Sequence, residues 1–355
     1  MKMTFRWFGS KDDTITLAQL RQIPGLSGVV GTISGIPAGE VWPKELIARL
    51  KKEVNDAVLE LEVIESVNIH DSIKTGSPGR GRCIENYKTT IRNLSAYGVK
   101  VICYNFMPVF DWVRTVLYKQ LDDGSMVSAF SQADSDRLDV DGIIQLFMED
   151  AKRHSLPGWE PERIAHVKDL INAYKEVSET DLVANLKYFL ERVIPTCEEC
   201  GVSLAIHPDD PPWDLFGFPR IARNADDLDR LLGLVDSPRN GLTFCCGALG
   251  AGENNDLPAM IRRFAGRIHF AHVRNVKILS PDSFHETAHL SACGSLDMYE
   301  IMKALHDTGF EGYIRPDHGR MIWGEEGRPG YGLFDRALGI AYLNGLWEAL
   351  SKGGK

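Results

Sequence analysis

The chain has 355 residues, 25% charged and 44% apolar, with a formal net charge of −9, enough for one large α/β domain or two smaller ones. The acidic balance, without any Lys/Arg block, argues against nucleic acid as a partner. No apolar run approaches the ~20 residues that cross a bilayer, so no membrane association is expected.

In chain order, Met1–Gly9 lacks a long apolar core and a small-residue cleavage site, so it does not read as a signal peptide. Eight strand candidates follow one another: Met3–Gly9, Leu26–Ile33, Leu59–Val67, Val99–Met107, Val202–His207, Gly241–Cys246, Ile268–Arg274 and Gly312–Asp317. Several are nearly continuous apolar runs, as in strands covered on both faces. Amphipathic segments lie between them, at Pro43–Asn55, Ile84–Tyr97, Leu182–Cys200, Asp226–Leu234, Leu257–Phe264 and Asp297–Thr308, and Leu333–Ser351 ends the series. Gly98 and Gly309 are natural helix stops. Alternating strands and helices of this number predict a single (β/α)8 TIM barrel over 1–355, with an open doubly wound sheet as the runner-up. The widest gap falls between the fourth and fifth strands. Residues 108–180 are expected to form a helical insertion serving as a lid or an oligomer contact.

Four strand candidates end in a metal-ligand residue: His207, Cys245 or Cys246, His272 and Asp317. Catalytic groups of a barrel sit at the carboxyl ends of its strands, and two His, one Cys and one Asp would suit a divalent transition metal. Alternation along a strand lets only one of Cys245 and Cys246 face inward, and periodicity does not choose between them. Gly247 permits a close backbone approach. His272 and Arg274 share a face, so an anionic substrate could bind the metal and pair with Arg274. His318 is a candidate acid or base, and Tyr331, flanked by Gly330 and Gly332, a flexible proton donor. The seven cysteines read as reduced thiols of a cytosolic protein, and the Cys197–Cys200 pair as structural. His285-Glu286-Thr-Ala-His289 matches a zinc-peptidase motif, but its surroundings read as a loop with room for barely one helical turn.

These residues resemble mannonate dehydratase along essentially the whole chain. The most specific stretches are Val63–Val67, Glu85–Lys88, Cys103–Trp112, His207–Pro212, Phe244–Cys245 with Gly247, His272–Asn275, Glu286–Leu290 and Arg315–Gly319. The resemblance implies a xylose isomerase-like TIM barrel and a lyase that uses Mn2+ or Fe2+. It implies dehydration of D-mannonate, a small sugar acid, to 2-keto-3-deoxy-D-gluconate in hexuronate (glucuronate) breakdown. It carries over His207, Cys245, His272 and Asp317 as metal ligands, choosing Cys245 because the family's Cys precedes a small residue and then Gly. His318 and Tyr331 carry over as proton-transfer residues. Cys246 and Val116 depart from the family pattern, and neither is one of the proposed ligands. A homo-oligomer is expected. The alternatives are a sugar isomerase or epimerase of the same fold, whose sites use more carboxylates and no thiolate, and the peptidase of His285 to His289.

Overall fold

The computed structural model describes residues 1–151, 166–252 and 254–353. Twelve strands occur among them: β1 (Lys2–Arg6), β2 (Gly28–Gly31), β3 (Glu60–Glu65), β4 (Val101–Tyr104), β5 (Val116–Gln120), β6 (Met126–Ser131), β7 (Ser203–Ile206), β8 (Asn240–Cys245), β9 (Ile268–His272), β10 (Val276–Ser280), β11 (Ser283–Glu286) and β12 (Tyr313–Arg315). Eight of them close a barrel in the order β1-β12-β9-β8-β7-β4-β3-β2. Every neighbouring pair is parallel. All eight strand candidates are barrel strands, and the open sheet is excluded.

Helices cover the outside, and local chemistry sets their ends. Ser178 and Asp181 form a reciprocal capping box at the start of Glu179–Cys200, and Gly201 ends that helix at φ +65°. Asn224 caps Ala225–Gly233, Asp256 caps Leu257–Arg263 and Asp297 caps Met298–Asp307. Gly98 and Gly309 take φ +84° and +68° just past their helices, as anticipated. Cys197 and Cys200 are free thiols within the helix Glu179–Cys200.

The core divides in two. Val30, Val63, Val101, Cys103, Ala205 and Phe270 form one small apolar cluster on the barrel strands. The larger cluster joins the strands to the helices. Parallel sheets need this double cover, because each strand buries both faces.

The insertion differs from the expected helical segment. It opens with the hairpin β5–β6, and helices follow at Gln132–Ala151 and Val167–Tyr174; residues 152–165 of the expected insertion lie outside the described set. The hairpin joins β10 and β11 in a second, antiparallel sheet of order β10-β11-β6-β5. Asp123-Gly124 in the turn, with Gly124 at φ +82°, is the hairpin signal that composition alone hid. Phe130 of β6, Phe284 of β11 and Trp213 of the loop after β7 pack together at centroid distances of 5.6 to 6.2 Å. Met126 and Met321 exchange backbone hydrogen bonds of 3.0 and 2.8 Å. The small sheet therefore fastens loops at the carboxyl face of the barrel to one another.

Gly28 shows how tightly the barrel strands pack: a Cβ there would stand 2.3 Å from the Glu60 carbonyl oxygen on β3. Gly28→Ala is expected to lower stability by about 1–3 kcal/mol. Gly345 lies in the helix Leu333–Gly353 with nothing within 4 Å of a Cβ, so Gly345→Ala is expected to gain about 0.5–1 kcal/mol. Denaturant melts of both variants check this; shifts in the same direction would contradict it.

Candidate active site

The barrel register brings distant residues to one level. Cys245 pairs with His272, and His272 with Arg315, across three neighbouring strands. His207 follows β7, its N–H held by the Tyr104 carbonyl at 2.7 Å. Asp317 follows β12 at φ +58°, a conformation that costs a non-glycine residue about 1 kcal/mol or more. Arg274 Nε and Arg315 Nη1 hold its two carboxylate oxygens at 2.7 and 2.8 Å.

The four residues converge. His207 Nε2 lies 3.2 Å from His272 Nδ1, Cys245 Sγ lies 3.6 Å from Asp317 Oδ2, and His272 Nδ1 lies 3.8 Å from the same oxygen. The donor atoms of His207, Cys245 and His272 all fall within 4.8 Å of one another. Cys246 opens the short helix Cys246–Gly250, and its side chain belongs to the apolar core.

The hydrogen bonds around these residues favour a cation. His207 Nδ1 contacts the Pro208 carbonyl at 2.7 Å. A carbonyl only accepts, so Nδ1 carries the proton and Nε2 is a bare lone pair. His272 Nε2 faces Glu65 Oε2 at 3.6 Å, and both are buried atoms without another partner among the described residues. A proton on Nε2 leaves His272 Nδ1 bare as well. Two bare nitrogens 3.2 Å apart repel each other, whereas two nitrogens each about 2.1 Å from one ion sit about 3 Å apart. The donor set fits a divalent transition metal, with Glu65 as the carboxylate that orients a ligating histidine.

Behind these residues lies a buried lattice of ion pairs. Arg274 gives Nε to Asp317, Nη1 to both oxygens of Glu286 and Nη2 to Asp210, all at 2.7 to 2.8 Å. Arg114 pairs with Asp210 at 2.8 and 3.0 Å and with Glu286 at 2.8 Å. This places Arg274 differently from the sequence expectation. Each of its nitrogens is taken by a protein carboxylate, and it is absent from the walls of the cavity, so it is not set to receive a substrate carboxylate. Gly247 makes the packing possible, since a Cβ there would stand 2.4 Å from Arg274 Cζ. Burial alone would raise the carboxyl pKa values. At Asp317 that push is overcome by Arg315 and Arg274, and the carboxyl is held well below its usual range. Arg315 lowers Glu65, Arg274 and Arg114 lower Glu286, and Arg114 and Arg274 lower Asp210.

A cavity of about 830 Å3 opens at this face, with Arg6, Glu65, His207, Asp317, His318 and Tyr331 in its walls. His318 Nε2 lies 2.9 Å from the Tyr331 hydroxyl, and Nδ1 lies 3.4 Å from Glu286 Oε1. Tyr331 is not the loose side chain that its glycine neighbours suggested. It is buried against His318 and Phe8, at centroid distances of 4.8 and 5.1 Å, and Arg336 holds its carbonyl. Burial, opposed in part by Arg315, pushes its hydroxyl up to about 12.

The peptidase motif does not form a helix. His285 and Glu286 lie on β11, Glu286 is held by the two arginines, and His289 Nε2 donates to the Pro316 carbonyl at 2.6 Å. Glu65, Arg114 and Arg6 were not singled out from the sequence. Their signal was a lone charge within an apolar run, which without tertiary partners reads as an exposed edge.

Solved structures of low identity share the barrel. A xylose isomerase domain protein from Planctomyces limnophilus aligns at 12% identity and a TM-score of 0.57, covering 99% of this chain and 98% of that one. The fold is therefore a xylose isomerase-like (β/α)8 barrel. The D-mannonate dehydratase (UxuA) family model matches residues 1–355. The mannonate dehydratase of Thermotoga neapolitana is 60% identical over 354 residues, covering 99% of this chain and 98% of the relative. That of Lactococcus lactis subsp. cremoris is 56% identical over 356 residues, covering 99% of each. The crystal structure of mannonate dehydratase from Streptococcus suis serotype 2 superposes at a TM-score of 0.91 with 45% identity, over 100% of this chain and 96% of that one. The chain belongs to the D-mannonate dehydratase family, which implies a divalent metal.

Removing the charge that faces His272 tests the cation site directly. Glu65→Gln is expected to weaken Mn2+ binding by about 10–100-fold, measured by competition with a chelating dye. Unchanged affinity in a folded variant would remove Glu65 from the site.

Proposed function

We propose that the protein dehydrates D-mannonate to 2-keto-3-deoxy-D-gluconate as a step of hexuronate catabolism in the cytosol, using Mn2+ or Fe2+ held by His207, Cys245, His272 and Asp317. The observation that carries the reading is the 2.9 Å contact between His318 Nε2 and the Tyr331 hydroxyl, in the wall of the cavity that also contains His207 and Asp317.

The reaction takes a proton from C2 and expels the hydroxyl of C3 as water. When bound, the divalent cation supplies the Lewis acidity that makes a C–H beside a carboxylate removable. Glu286, facing Nδ1, keeps the His318 proton on that side and leaves Nε2 as the base. Tyr331, protonated at neutral pH, donates to the departing C3 oxygen. The proton gained by His318 then passes to the Tyr331 oxygen beside it, which restores both groups. The enol left behind tautomerises to the 2-keto acid. One proton leaves carbon and one reaches oxygen, so the cycle needs no other reactant. The pair packs against aromatic rings, His318 with its ring 5.6 Å from that of Trp112 and Tyr331 edge-on to Phe8.

The test strips the protein with a chelator, restores Mn2+, and follows 2-keto acid formation. Metal-dependent product from D-mannonate, and none from D-gluconate, is expected. No product with Mn2+, Fe2+ or Mg2+ would sink the reading. Tyr331→Phe is expected to lower kcat by about 10^2–10^4-fold with unchanged metal content, and Cys245→Ala to lose metal and activity together.

A further inference from the structure

Arg6 is set apart from five other buried arginines, Arg114, Arg220, Arg274, Arg315 and Arg336. Arg114, Arg220, Arg274 and Arg315 each face at least one carboxylate. Arg336 makes no ion pair with a described residue, but its three guanidinium nitrogens donate to the carbonyls of Gly332, Arg6 and Tyr331. Arg6 ends β1 and is 3% exposed, yet it makes no ion pair with any described residue. Its side chain donates only through Nη1, at 3.3 Å, to the carbonyls of Trp7 and Val30. Nε and Nη2, the edge that forks onto a carboxylate, have no protein partner among the described residues.

The position of Arg6 is as telling as its bonding. It lines the cavity that holds His207, Asp317, His318 and Tyr331. Its Cζ stands 4.3 Å from the centre of the Phe8 ring, and Arg328 Cζ stands 3.7 Å from the same centre. Phe8 meets Tyr331 edge-on at 5.1 Å, so a single aromatic ring separates the two guanidinium groups from the hydroxyl that contacts His318. A buried guanidinium with a free donor edge is stabilised by an anion that reaches that edge from the cavity.

We infer that Arg6 receives the carboxylate of an aldonic acid on its Nε and Nη2 edge, and so selects sugar acids over neutral polyols of the same length. A planar guanidinium matches a carboxylate through two parallel hydrogen bonds, which neither a hydroxyl nor an aldehyde reproduces. Arg6 thus takes the role that the sequence suggested for Arg274, whose nitrogens are already engaged. The inference rests on the sugar-acid reading of the cavity.

The test compares Mn2+-loaded wild type, Arg6→Gln and Arg6→Lys. It measures KM and kcat for D-mannonate, manganese content and melting temperature. In Arg6→Gln, KM is expected to rise by about thirtyfold or more while manganese content holds; Arg6→Lys, which keeps the charge and loses the fork, falls between. A KM within twofold of wild type in Arg6→Gln would overturn the inference, as would loss of manganese together with affinity. If Arg6→Gln does not fold, Arg6→Lys decides, with a raised KM at full manganese content supporting the inference and an unchanged KM overturning it. Wild type inert toward D-mannonate would instead overturn the proposed reaction. Calorimetric titration of aldonates into wild type and Arg6→Gln then judges Arg6 alone, tighter binding by wild type supporting it and equal binding overturning it.

Discussion

One guanidinium group, that of Arg274, ties together three separate segments of the chain. It sits two residues past His272 and grips Asp210 after β7, Glu286 on β11 and Asp317 after β12. Each partner neighbours a residue of the cavity: Asp210 is three residues from His207, Glu286 faces His318, and Asp317 is itself a proposed ligand. Taking a cation and three carboxylates out of water is costly, and the lattice is tolerable only because Arg114 completes it. Its benefit is position rather than stability. Rigid charges in a dry setting need no reorganisation when a reaction develops charge nearby.

Glu65 and Arg315 extend this order to the other side of the cavity. Arg315 spans Asp317 and Glu65, and Glu65 faces His272. Two of the proposed ligands are therefore joined through a chain of opposite charges as well as through the cation they would share. The positive φ of Asp317 is stable in that setting, since two arginines fix its carboxylate from different directions.

The eight barrel strands were readable because burial on both faces turns a strand into an apolar run, and because glycine at Gly98 and Gly309 marks where helices stop. The proposed ligands stood out for a related reason: His207, His272 and Asp317 interrupt apolar runs at their carboxyl ends, whereas the choice of Cys245 over Cys246 came from the family resemblance. The second sheet was not readable. Its strands are short, half-exposed and paired between segments far apart in sequence, as Phe130 is with Phe284. The same sheet draws His285 and Glu286 of the peptidase-like motif into a strand. Arg274 stood out next to His272 but not as a residue already paired, because its three carboxylates come from three separate segments of the chain. Tyr331 looked mobile from its glycine neighbours, yet the Phe8 ring and Arg336 fix it from a distance that sequence spacing does not reveal.

The closure of the barrel has a consequence for synthesis. β1 pairs with β12, Lys2 opposite Tyr313 and Met3 opposite Ile314, so the first strand made waits for the last. Asp317, His318 and Tyr331 all follow that final strand. During synthesis seven barrel strands can assemble while β1 still has a bare edge toward β12, and Asp317, one of the proposed ligands, comes only after β12. The donor set proposed for the cation is thereby completed only as the barrel is sealed.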